Sequence, residues 1–98
     1  MDDIIRKEKN MYLHIGMDTI INTKNITGIF DLDNATLSYK TRDFLSAAQA
    51  EGKIVNVCTD LPKSFILCCE KEDFTVYICQ LSPATLMKRM TAANGKDW

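Results

Sequence analysis

The sequence predicts an α+β domain, with an antiparallel-rich sheet of about five to six strands, one main helix and a short C-terminal helix. Three observations carry that expectation. Apolar residues alternate with a period of two from Met11 onward, which marks half-buried strands. Between Leu37 and Ala48 they recur at helical spacing instead. Two strand-like runs, Ser64 to Glu70 and Asp73 to Gln80, then flank Lys71-Glu72 as a hairpin would. A chain of 98 residues has room for one core. A composition of 46% apolar and 26% charged residues excludes a disordered, collagen-like or low-complexity chain.

Each element has a local cause. Met11, Leu13 and Ile15 alternate with Tyr12 and His14 to form the first strand, and Gly16-Met17-Asp18 turns the chain. Thr19-Ile20-Ile21 is the second strand and Asn22 to Asn25 a polar turn. Ile26 to Leu32 is the third strand, where Gly28 invites a bulge or a close backbone approach. Short turns predict that these three strands form an antiparallel meander. Leu37, Thr41, Phe44, Leu45 and Ala48 share one side of a helix from about Ser38 to Ala50, with Ser38 as N-cap and Gly52 placed to end it. Lys53 to Val57 is a fourth strand. Ser82-Pro83 caps and opens a helix through Met90, with Lys88 and Arg89 expected near its negative end.

A two-residue turn fixes the hairpin register, with Glu70 opposite Asp73 and Cys69 opposite Phe74. One face then holds Phe65, Leu67, Cys69, Phe74, Val76 and Ile78, the expected core. The other holds Ile66, Cys68 and Tyr77 with Thr75 and Cys79. An antiparallel sheet need not bury that second face within one chain, so Ile66, Cys68 and Tyr77 are expected at a subunit interface.

The domain is placed at residues 11–90. Residues 1–10 carry six charges and no apolar period, which predicts an extension outside the fold, with natural translation starting at Met11. Residues 91–98 read as a flexible tail. No secretory signal is evident and no apolar run approaches a membrane span, so a cytoplasmic protein with free thiols is expected.

Little in the chain points to catalysis, a metal or a cofactor. Cys58, Cys68, Cys69 and Cys79 lack zinc-site spacing, and His14 is the one imidazole. Structural thiols and a hydrogen-bonded strand histidine are the simpler readings. Asp31 and Asp33 lie where a strand meets a helix, a place for turn and capping duty. Gly16, Gly28, Gly52 and Gly95 are too scattered for a phosphate loop. Twelve basic and thirteen acidic residues give a formal charge of -1 and remove any bulk attraction for polyanions. What remains is positional: Lys24 in the turn after the second strand and Lys63 in the loop before the fifth.

Met-Tyr-Leu-His-Ile-Gly (11–16), Gly-Ile-Phe-Asp-Leu-Asp (28–33), Thr-Arg-Asp-Phe-Leu (41–45), Leu-Pro-Lys-Ser-Phe (61–65) and Ser-Pro-Ala-Thr-Leu-Met-Lys-Arg (82–89) occur in order. Together they resemble the bacterial extracellular matrix regulatory protein family, and more closely its RemB-type branch. The resemblance implies a non-enzymatic cytoplasmic protein that assembles into a ring. In the RemA-type branch it implies a DNA-binding activator of biofilm-matrix genes. Matching the family's basic loop positions puts the first on Asn25, beside Lys24, and the adjacent pair of the second loop on Leu61 and Pro62, followed by Lys63, so the resemblance implies DNA contacts at Lys24, Asn25 and Lys63. Leu61 and Pro62 fall where arginine-type contacts would stand, so bidentate phosphate contact is reduced. The favoured expectation is a homo-oligomer that binds double-stranded DNA weakly and multivalently. The rival is an oligomeric interaction module that acts through a paralogous protein without DNA.

Overall fold

The computed structural model describes the backbone of residues 11–35 and 38–94, and the side chains of 11–34 and 38–90. The expected extension at 1–10, Leu37 on the helix face, and the end of the tail at 95–98 lie outside the described residues. The fold is α+β. Strands β1 (Tyr12–Gly16) and β2 (Thr19–Asn22) form an antiparallel hairpin. A 3₁₀ turn, Thr23–Asn25, leads into β3 (Ile26–Asp31). There follow α1 (Leu32–Ala35), α2 (Tyr39–Ala50), β4 (Ile54–Asn56), β5 (Ser64–Glu70), β6 (Asp73–Cys79) and α3 (Pro83–Asn94).

The second sheet has the order β3-β5-β6-β4, antiparallel except for the β4–β6 pair, which is parallel. Its central hairpin has the expected register: Glu70 opposes Asp73, Cys69 opposes Phe74 and Phe65 opposes Ile78. Lys71 closes the turn at a positive φ of 60°.

Both faces of this sheet are covered. Helix α2 packs on one, where Ala48, Phe65 and Val76 are buried and Leu45, Ile54, Leu67, Phe74 and Ile78 close around them. The β1–β2 hairpin and α3 cover the other, burying Leu13, Ile15 and Ile21 with Val57, Ile66, Cys68, Cys79 and Leu86. The molecule is thus three layers with the larger sheet in the middle.

The helix boundaries follow the capping chemistry. Ser38 Oγ accepts from the Lys40 amide at 3.2 Å, and Gly52, at φ +72°, takes the left-handed position beyond the end of α2. Ser82 Oγ accepts from the Thr85 amide at 3.2 Å and opens α3 behind Pro83. Asp31 Oδ1 accepts from the Asp33 amide at 2.8 Å and caps the short turn α1, the duty expected of it.

Four expectations change. The first three strands are not a meander, because β3 leaves the hairpin and pairs with β5. The chain crosses at Thr23, whose amide and hydroxyl both donate to the Met11 carbonyl, at 2.9 and 3.1 Å. Second, the Ile66 face is not left bare: Ile66 is 0% and Cys68 8% exposed, since the displaced hairpin lies over them. Third, Cys69 is exposed rather than core; it lies one residue from the end of β5, beside the hairpin turn. Fourth, α3 continues to Asn94, so residues 91–94 are helical and Lys88 and Arg89 lie in mid-helix, not at its negative end.

Candidate nucleic-acid interface

Lys24 is exposed at the centre of the 3₁₀ turn, held there because Asn22 Oδ1 accepts from its amide at 3.1 Å. Asn25, the next residue, is half-buried. Lys63 is exposed just before β5, with its amide donating to Cys79 O at 2.9 Å and its carbonyl accepting from Leu32 N at 3.0 Å. Both loops are therefore pinned by backbone bonds while their ammonium groups face outward.

The structure does not bring these lysines together. Ile26 opposes Cys68 and Asp31 opposes Ser64, so Lys24 lies at one end of the β3–β5 pair and Lys63 at the other. At about 3.3 Å per residue, that separation is roughly 20 Å. Each lysine also has carboxylates on its neighbouring segment. Lys63 lies beside Asp31 and Asp33, and Lys24 adjoins a groove of about 550 Å³ whose rim carries Glu70, Glu72 and Asp73.

Tyr77, half-buried, and Ile20, 60% exposed, line that same groove. Burial, and then the nearby Cys68 and Glu70, push the Tyr77 phenol above its ordinary value. Of the three residues expected at a subunit contact, Tyr77 and, at 8% exposure, Cys68 line this groove, whereas Ile66 is fully enclosed under the chain's own hairpin.

The remaining candidates behave structurally. Cys79 Sγ donates to Ile15 O at 3.3 Å and ties the larger sheet to β1, while Cys58 Sγ donates to Ile78 O at 3.4 Å beside the β4–β6 pair. Burial and the neighbouring Cys69 push Cys68 up to about 11, and burial with Cys79 raises Cys58. Both shifts run opposite to the depressed value of a reactive thiol. No group of three metal-type ligands occurs among the described residues. His14 is exposed, and its hydrogen bond runs through the backbone: Arg89 Nη1 donates to His14 O at 3.2 Å. Sequence reasoning missed that cross-layer contact because it placed Arg89 in a helix end facing solvent.

Comparison with known proteins fits this architecture. The family model described as "Extracellular matrix regulatory protein A-like" matches residues 12–90, which spans every strand and most of α3. The chain belongs to this RemA-like family. It is also 34% identical over 79 residues to "Extracellular matrix regulatory protein B" of Bacillus subtilis (strain 168), covering 81% of this chain and 89% of that relative. The match ends at Met90, inside α3. The RemA-like family carries a regulatory description. No helix among the described residues is long and apolar enough to cross a membrane.

Proposed function

We propose that this chain is a non-enzymatic regulator that assembles from repeated copies and contacts double-stranded DNA weakly through its Lys24 and Lys63 loops. The observation that carries the reading is the placement of two exposed, backbone-pinned lysines at opposite ends of one strand pair. A head-to-tail arrangement would set Lys63 of one copy near Lys24 of the next and repeat that pairing along a rim. Such a contact would use the groove lined by Tyr77 and Ile20.

Magnitude requires repetition. One copy neutralises about two phosphates, whereas useful affinity at physiological salt needs roughly six to ten, or about three to five copies. Lysine contacts phosphate as a point charge without a fixed fork, so binding would track the backbone and DNA shape rather than base edges.

The carboxylates beside each lysine favour a second reading, in which assembly is retained and the partner is another protein. Sedimentation of the full chain with and without duplex DNA separates the two. The DNA reading predicts salt-sensitive co-sedimentation that Lys24→Glu with Lys63→Glu abolishes while self-assembly persists. Binding untouched by that double reversal refutes the assignment of the two loops. Assembly without any DNA binding at moderate salt selects the protein-partner reading.

A further inference from the structure

We propose that the cavity bounded by β1, the loop after β4 and helix α3 is a binding site for a phosphate oxyanion. It encloses about 260 Å³, and its polar lining is His14, Thr59, Gln80 and Arg89. These come from four segments distant in sequence. No carboxylate lines it, in contrast to the larger groove, where Glu70, Glu72 and Asp73 face Lys71. Within a chain of net charge -1, this cavity joins a guanidinium and an imidazole without an acid among them.

The donors are oriented. Arg89 commits one N–H, from Nη1, to the His14 carbonyl at 3.2 Å, which moors the guanidinium against β1. Its other donors have no protein partner among the described residues, so the fork stays available to an oxyanion.

Gln80 is fixed just as firmly. Its Oε1 accepts from Thr59 N at 2.7 Å, Asp60 N at 3.1 Å and Thr59 Oγ1 at 3.2 Å. Two backbone N–H groups can face only the oxygen of the amide, so its NH₂ end is turned away from the loop, with no acceptor among the described residues. The nearest loop acid is also engaged locally, because Asp60 Oδ1 accepts from the Leu61 amide at 2.8 Å.

An arginine fork and an amide donor that line one cavity can serve separate oxygens of a phosphate group. The phosphate could belong to a nucleic-acid backbone or to a free phosphoester. The inference does not rest on the DNA reading of the Lys24 and Lys63 loops.

The test is a backbone-amide NMR titration of the full chain with inorganic phosphate, with acetate at equal ionic strength as control, and separately with a random-sequence duplex. Wild type is expected to shift the amides of Gly16, Thr59 and Gln80 with phosphate but not with acetate. Arg89→Ala and Gln80→Glu are each expected to weaken that binding about tenfold or more. Gln80→Glu keeps an acceptor for the Thr59 and Asp60 amides while replacing a donor with a negative charge. Arg89→Lys, which keeps the charge and loses the fork, serves if either variant misfolds, and it too should bind more weakly.

Phosphate and duplex binding weakened together support the site and name the nucleic-acid backbone as its source. Phosphate binding weakened alone supports the site and names a free phosphoester. Phosphate shifts equal in wild type and variants, or matched by acetate, overturn it. That failure would leave the lysine-loop reading standing, since charge reversal at Lys24 and Lys63 tests it separately.

Discussion

Replacing Ile66 by alanine asks whether the middle of β5 faces the protein's own interior or another copy. Ile66 is fully enclosed, paired with Ile29 on β3 and Tyr77 on β6, and roofed by the cluster that includes Leu13, Ile15 and Leu86. The change removes three carbons, a transfer cost of roughly 2.4 kcal/mol at about 0.8 kcal/mol per methylene. A cavity that relaxes only in part adds to this, so a total of about 2.5–5 kcal/mol is expected. Against a total stability of about 5–15 kcal/mol for a domain of this kind, the loss is large. Urea unfolding at two widely separated protein concentrations measures it. A residue inside the chain costs the same at both, whereas a residue between copies loses its contribution when dilution separates them. A cost below about 1 kcal/mol, or one that vanishes on dilution, would refute the three-layer account of this face.

Three further outcomes follow from single contacts. Gly16→Ala should destabilise by about 1–3 kcal/mol, because φ is +129° and a Cβ would lie 3.2 Å from Val57 O; unchanged urea unfolding would contradict the close approach. Mild alkylation of the native protein followed by peptide mapping should label Cys69 first and spare Cys68 and Cys79, and equal rates for all three would show that the layers open readily. Asp73 is held below its ordinary value by the hydrogen bond from Lys53, then by the Phe74 amide and by the Lys53 charge. Its lowered folded pKa makes the contribution present above 3.8 and lost as pH falls through the folded value, so Asp73→Asn should flatten the acid dependence of stability below 3.8. The effect should be small because the carboxylate is exposed, and an unaltered acid titration would refute the coupling.

The hairpin register, the Ser38 and Ser82 caps and the α2 boundaries were legible because each depends on residues close in sequence. A two-residue turn sets the pairing of Glu70 with Asp73, and a hydroxyl reaches an amide two or three residues on. What was not legible is where β3 goes. Short connections favour neighbouring strands as partners, but Thr23 fastens the crossing to Met11 by a contact whose range local pattern does not reveal. A signal for two-sided burial was nevertheless present. Phe65-Ile66-Leu67-Cys68 is continuously apolar, the pattern of a strand covered on both faces, and it outranks the allowance that an antiparallel sheet can leave one face open. The Lys24 and Lys63 loops were found by position, yet their separation needed the β3–β5 register. The Arg89–His14 contact needed α3 to be laid against β1, which no local spacing could disclose.

That same crossing governs the electrostatics. Because β3 joins the larger sheet, its two ends carry the lysine loops apart, and the acids at Glu70 and Glu72 collect at the end that holds Lys24. Because the hairpin thereby lies free to cover the opposite layer, β1 comes under α3 and receives Arg89 away from those acids. A net charge of -1 is therefore a poor guide to where an anion would settle. Interactions over a few ångströms in a partly enclosed cavity outweigh the sum over a surface screened within about 8–10 Å at ordinary ionic strength. The arrangement makes the two anion readings separable by salt. Exposed lysines should lose their grip steeply as salt rises, while a moored guanidinium beside a fixed amide should depend more on geometry, so Arg89→Lys should cost more there than the retained charge implies.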